Sequence, residues 1–218
     1  MTTAQLVANI YLTANGKLPT FLSGSTKWLK ILAIANNKID TWQNEANWDS
    51  LYDPKHNCGI ITATDTFALD SMVRLISQQP GDVVTIVKLD GTKSYYQTVY
   101  AQQLKLYKTG KYCAQVGQTL VFNKAFTATD PEFGGTLQNP AYKFATHLVA
   151  DADVVPVDDP QWLVLASSAE YVRNDIVKQN QYGPLVNEAN ALMDLMKDSL
   201  QPQVEELQRP YSPLSSSW

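Results

Sequence analysis

Imidazole and thiol are scarce in this chain. Among 218 residues there are two histidines, His56 and His147, and two cysteines, Cys58 and Cys113. A Ser-His-Asp or Cys-His system needs a nucleophile, a base and an orienting acid within reach of one another. No G-x-S-x-G nucleophile elbow occurs, so neither histidine has a recognisable partner. Pro54-Lys-His-Asn-Cys58 reads as a polar loop leading into a strand, with His56 at the surface or in a cap. His147, beside Leu148, reads as a satisfied, partly buried side chain. C-x-x-C, H-E-x-x-H and D-x-D-x-D-G runs are all lacking, which argues against zinc and EF-hand calcium sites. The expectation is a protein without catalytic residues, cofactor or metal. The two cysteines are expected to be reduced packing residues, with a disulfide left open.

Long apolar runs are missing too. None approaches the roughly 20 residues of a membrane span, and MTTAQLVANIYLTANG has neither the basic start nor the apolar centre of a signal peptide. A basic excess is also absent: 17 Lys and Arg stand against 21 Asp and Glu, a net charge of −4. That balance disfavours a dedicated nucleic-acid binder. What is present, 44% hydrophobic and 17% charged residues with eleven Tyr and five Trp, suits a folded, soluble chain. The length suits one elaborated domain or two small ones.

Periodicity divides the chain into helix, strand and helix. Leu6, Val7, Ile10 and Tyr11 share one face of a helix over 3–12, stopped by Asn15-Gly16. Trp28, Leu32, Ala35, Ile39 and Trp42 predict a second helix over 25–43, after which Trp48 and Leu51 lead into strands. Strands are predicted over 59–63, 71–76, 83–89, 94–100, 104–107, 112–116 and 118–126. Asp90-Gly91 marks one tight hairpin and Thr109-Gly110 a second, giving an antiparallel meander. The stretch 127–140 reads as a long loop in which Gly134-Gly135 is a turn, and 141–148 as a strand. A final helix carries Leu185, Ala189, Leu192, Met196 and Leu200 after Gly183-Pro184.

The most informative segment is Val154 to Asp175. Pro156 keeps its start extended, Asp159 is placed to cap a helix, and Pro160 suits the first helical position. Trp162, Leu165, Ala166, Ala169, Val172 and Ile176 then form one apolar stripe, with the helix running to about Lys178. Asp151, Asp153, Asp158 and Asp159 form an acidic cluster open to a calcium reading. Capping and the positive end of the helix dipole explain it better.

Two features bear on partners. Lys105, Lys108 and Lys111 line the second predicted hairpin, interleaved with Tyr107 and Tyr112. Such a hairpin can touch phosphates, while lysines on an edge also block strand aggregation, which is the plainer reading. The carboxyl end, from Arg209 to Trp218, holds two prolines and four serines together with Tyr211, Pro213, Leu214 and Trp218. Those four are interface-type residues on an extended arm. A loose terminus is the alternative.

Taken together, the layout resembles the head–tail adaptor proteins of tailed bacteriophages, of the portal-docking adaptor or tail tubular protein A (gatekeeper) type. The resemblance is carried by Val155-Pro-Val-Asp-Asp-Pro-Gln-Trp-Leu-Val164 with the Ala-rich helix after it, and more loosely by Ala46-Asn-Trp48-Asp-Ser-Leu51. It implies an α+β protein: N- and C-terminal helices in a bundle, a central antiparallel β-rich domain and an extended C-terminal arm. The corresponding segments are 1–47, 48–150, 151–208 and 209–218. It further implies a non-enzymatic virion protein of the neck, made in the host cytoplasm. Such a protein forms a ring, usually dodecameric, docked on the portal protein and joined to tail or nozzle proteins. Genome DNA would pass through its channel without specific binding, and no membrane is involved. Tyr211, Pro213, Leu214 and Trp218 would then meet the portal or a neighbour, and Lys105, Lys108 and Lys111 the channel or tail. A tail-completion or tail-terminator protein is the structural alternative, and a hydrolase with an unrecognised site the enzymatic one.

Overall fold

The computed structural model describes residues 1–79, 81–173 and 175–200. Its helices and curled mixed sheet make an α+β fold with helices at both ends of the described chain. The chain divides into a helical unit, Met1–Ser50 with the residues from Ala145, and a β-rich unit, Leu51–Phe144. The helical unit holds α1 (Thr3–Asn15), α2 (Thr26–Glu45), α4 (Pro160–Val172) and α5 (Gln179–Ser199). The β-rich unit holds β1 (Tyr52–Ile60), β2 (Thr66–Ala68), β3 (Val73–Ile76), β4 (Val83–Val87) and β5 (Lys93–Thr98). It continues through the four-residue α3 (Ala101–Leu104) into β6 (Tyr112–Val116), β7 (Thr119–Phe122) and β8 (Thr136–Lys143).

In the helical unit the starts of α1, α2 and α4 are each fixed by a side-chain cap. Thr2 and Gln5 form a reciprocal capping box on α1. The Ser25 hydroxyl accepts from the Trp28 amide at 3.4 Å on α2, and Asp159 accepts from the Gln161 amide at 2.8 Å on α4, with Pro160 first in the helix. The predicted α2 stripe is the buried one, from Trp28 to Trp42. Trp42 stacks on Trp48 at 5.1 Å, and the Trp48 indole donates to the Trp42 carbonyl at 2.7 Å. Like Asp159, two other acids ahead of α4 are spent locally. Asp153 accepts from the Val149 and Ala150 amides, both at 2.7 Å, and Asp151 from the Ser23 hydroxyl at 2.7 Å.

Helix α4 departs from a single stripe. Leu163, Val164, Ser167 and Ser168 are buried along with Trp162, Leu165, Ala169 and Val172, because α1, α2 and α5 all pack on it. It also stops at Val172 rather than near Lys178. Asp175 caps a separate 3-10 turn, Ile176–Lys178, by accepting from the Val177 amide at 3.1 Å, which leaves Ile176 at 88% exposure. Helix α5 begins at Gln179 and carries Pro184 inside it, where a break was expected. The carbonyl that Pro184 leaves unpaired is that of Asn180, an exposed residue whose oxygen water can serve.

In the β-rich unit the sheet order is β1-β8-β4-β5-β6-β7-β2, with β3 also on β8. Val84, Ile86, Tyr96 and Leu137 point inward with no exposure. Phe67, Tyr96, Phe122 and Phe126 close the core edge-to-face, with ring centroids 4.9 to 6.1 Å apart. The hairpin over Asp90-Gly91 forms as predicted, β4 pairing antiparallel with β5 and Gly91 adopting a φ of 80°. Other expectations are corrected. The predicted loop 127–140 gives way at Thr136 to β8, which pairs with three strands. Pro140 survives inside it because it falls where the partner changes, from β4 at 136–138 to β3 at 141–143, opposite a bulge in β1. The predicted strand 141–148 is only the end of β8, and β1 begins earlier than the predicted 59–63.

Candidate functional site

The second predicted hairpin, the one bearing the lysines, does not exist. β5 and β6 pair in parallel, so the chain between them must cross over instead of turning back. Val99 to Lys111 makes that crossing, and 104–107 is not a strand: α3 ends at Leu104, and the chain then turns through Tyr107. Asn123 pins the turn, its amide group donating to the carbonyls of Tyr107 at 2.8 Å and Gly110 at 3.2 Å. Gly110 has a φ of 90°, and a Cβ there would lie 2.7 Å from the Tyr112 ring. Tyr107 stacks on Tyr112 at 4.2 Å.

This crossover separates the three lysines by role. Lys105 and Lys108 are exposed, beside Tyr100 at 64% and Leu106 at 77% exposure. Lys111 turns inward, donating to Glu132 at 2.9 Å and to the Ser94 hydroxyl at 2.8 Å, with its ammonium over the Tyr96 ring. Ser94 in turn donates to Glu132 at 2.9 Å. Burial pushes the Glu132 carboxyl up, but the bonds from Lys111 and Ser94 outweigh it and hold the group below the usual carboxylate range. Lys111 is therefore a structural cation for a buried acid, and Lys105 and Lys108 are the pair that can meet a partner. Sequence reasoning missed the Ser94–Lys111–Glu132 cluster because its members come from β5, the crossover and a turn, with no shared spacing. Beside it lies a polar cleft of about 450 Å³ lined by Gln78, Asp82, Tyr95, Gln97, Lys111 and Tyr112.

The remaining candidates are scattered. His56 is buried at 9% exposure inside β1, not in a surface loop, because the strand extends back to Tyr52. Its Nδ1 lies 3.5 Å from Asp53, whose carboxyl the Lys143 ammonium, at 2.6 Å, holds below its ordinary range. Cys58 donates to the Asn139 side-chain oxygen, and burial, aided by Asp70 and Asp53, pushes its thiol up to about 12. Cys113 is buried, both cysteines are free thiols, and burial pushes Cys113 to about 12 as well. His147 is satisfied, its Nε2 2.8 Å from Asp40, but it is exposed. No group of three or more His, Cys, Asp or Glu side chains suited to a metal ion occurs among the described residues. Tyr211, Pro213, Leu214 and Trp218 lie outside the described residues. No family model matches this chain, and no curated protein matches it.

Proposed function

We propose that this chain is a head-to-tail adaptor of a tailed phage virion, a ring-forming neck protein that docks on the portal and joins it to the tail. The observation that supports the reading is the nesting of the chain. One helical unit is built from both ends of the described sequence, and the β-rich unit is set into it between α2 and α4. Such a chain offers a helical body for packing against neighbours and a separate surface for a second partner. Under this reading Lys105, Lys108, Tyr100 and Leu106 belong to the surface that meets tail or channel. Tyr211, Pro213, Leu214 and Trp218 belong to the portal or a neighbouring copy.

Negative-stain images of the purified chain mixed with its cognate portal protein test this. Added ring density at one end of the portal is the expected result, and unchanged portal particles remove the proposal. Retention by an isolated tail tube in place of the portal moves the protein to the tail-terminator role.

A further inference from the structure

A second cleft, of about 560 Å³, lies in the helical unit and is lined by Tyr11, Asn15, Lys27, Lys30, Tyr171 and Lys178, with Asp175 and Ile176 beside them. Three lysines from two elements and one carboxylate line it. Lys178 is accounted for: it reaches the Asn15 side-chain oxygen and lies 3.7 Å from Asp175. Lys30 lies over the Tyr171 ring at 5.7 Å. Lys27 has no acidic side chain within ion-pair distance among the described residues, and neither has Lys30.

Their position makes this costly. Lys27 is the second residue of the 20-residue α2 and Lys30 the fifth, and no acid stands in that first turn. The amino end of a helix carries partial positive charge and favours anions. Lysines three apart on one helix face also repel each other. Two cations are thus held at the wrong end of a long helix, next to a third, in a chain of net charge −4. A departure of this kind, compensated only by the Tyr171 ring beneath Lys30, is what a binding site produces.

We propose that this cleft binds a phosphate group, with Lys27, Lys30 and Lys178 supplying its charge complement and the Tyr11 and Tyr171 hydroxyls donating to its oxygens. The Tyr171 hydroxyl keeps its proton at neutral pH as tyrosine ordinarily does, and burial pushes it further up. The group comes either from free phosphate or from a nucleic-acid backbone, and the proposal stands on the cleft alone, independent of the adaptor reading.

The test is an amide NMR titration of the full chain with inorganic phosphate and, separately, with a short DNA duplex. Both are repeated on Lys27→Gln/Lys30→Gln. Saturable shifts centred on residues 11–30 and 171–178, weakened at least about tenfold in the double variant, are expected. Movement of the same residues by duplex assigns a nucleic-acid backbone; the salt slope of log affinity should then flatten by about 2 in the variant. Movement with inorganic phosphate alone assigns the free ion. No saturable shift there with either probe, or equal affinity in the variant, overturns the site. So does a lower Tm of the ligand-free variant, since that would make the two lysines structural cations; an equal or higher Tm is expected.

Discussion

At the scale of single residues, the behaviour of the chain in acid should be set partly by Glu132. Its folded carboxyl is held below its ordinary range. The stability it contributes is therefore fully present above the unfolded value of 4.5 and is lost as pH falls through the lower, folded one. Urea unfolding of Glu132→Gln should show a flatter dependence on pH below that value than the parent shows. Lys111→Met strands the same carboxyl without its cation. We expect a loss of about 1–2 kcal/mol, below the full cost of breaking a buried pair because the ammonium is half-exposed and screened. The thiols give a second reading at this scale. With Cys58 and Cys113 both pushed up to about 12, iodoacetamide at pH 8 should label neither in the folded chain and both in urea. Rapid labelling of folded Cys58, which is only partly buried, would contradict its raised pKa. Sequence could suggest that the cysteines pack. It gave no sign that His56 would be buried, because that depends on where β1 begins and on its pairing across to Asn139.

At the scale of elements, local chemistry was legible and partner choice was not. Both long amino-terminal helices, the Asp159 cap and the Asp90-Gly91 hairpin depend on neighbours within a few residues, and each stands where those neighbours put it. The parallel pairing of β5 and β6 was invisible, because Thr109-Gly110 is as good a hairpin signal as Asp90-Gly91 until the partner strand is known. β8 was hidden for a related reason: Pro140 reads as a strand breaker except at a change of partner. Two variants probe these elements. Asp159→Ala removes the cap of the most buried helix and should cost about 1 kcal/mol in urea unfolding. Gly110→Ala meets both the left-handed backbone and the Tyr112 ring, and should cost about 2 kcal/mol. Little change on Gly110→Ala would mean that the crossover is free to rearrange, and with it the surface formed by Lys105 and Lys108.

At the scale of the whole molecule, the nested order of the units carries the functional reading. The ends of the β-rich unit are its first and last strands, and these pair antiparallel, with Tyr52 opposite Tyr142. A fragment of residues 51–144 therefore has both termini on adjacent strands and holds its own core of Val84, Ile86, Tyr96, Phe122 and Leu137. Expressed alone, it should give a cooperative thermal transition and a dispersed amide spectrum; a collapsed spectrum would show that the helical unit is needed to fold it. Mixed with portal protein, this fragment should not be retained while the full chain is, because the adaptor reading assigns docking to the helices and the carboxyl end.

The same strand pair has a consequence for how such a chain can change over generations. Opposed residues on antiparallel strands stand only about 5 Å apart, so the two chain crossings that join the β-rich unit to the helical unit leave from neighbouring strands of the β-rich unit. Any autonomously folding module whose own ends meet at that spacing can be exchanged there by recombination without redesigning the helices. The β-rich unit is then free to diverge with whatever it touches, while the helical unit keeps its sequence constraints, and relatives should be easier to detect through residues 1–50 and 145–200 than through 51–144.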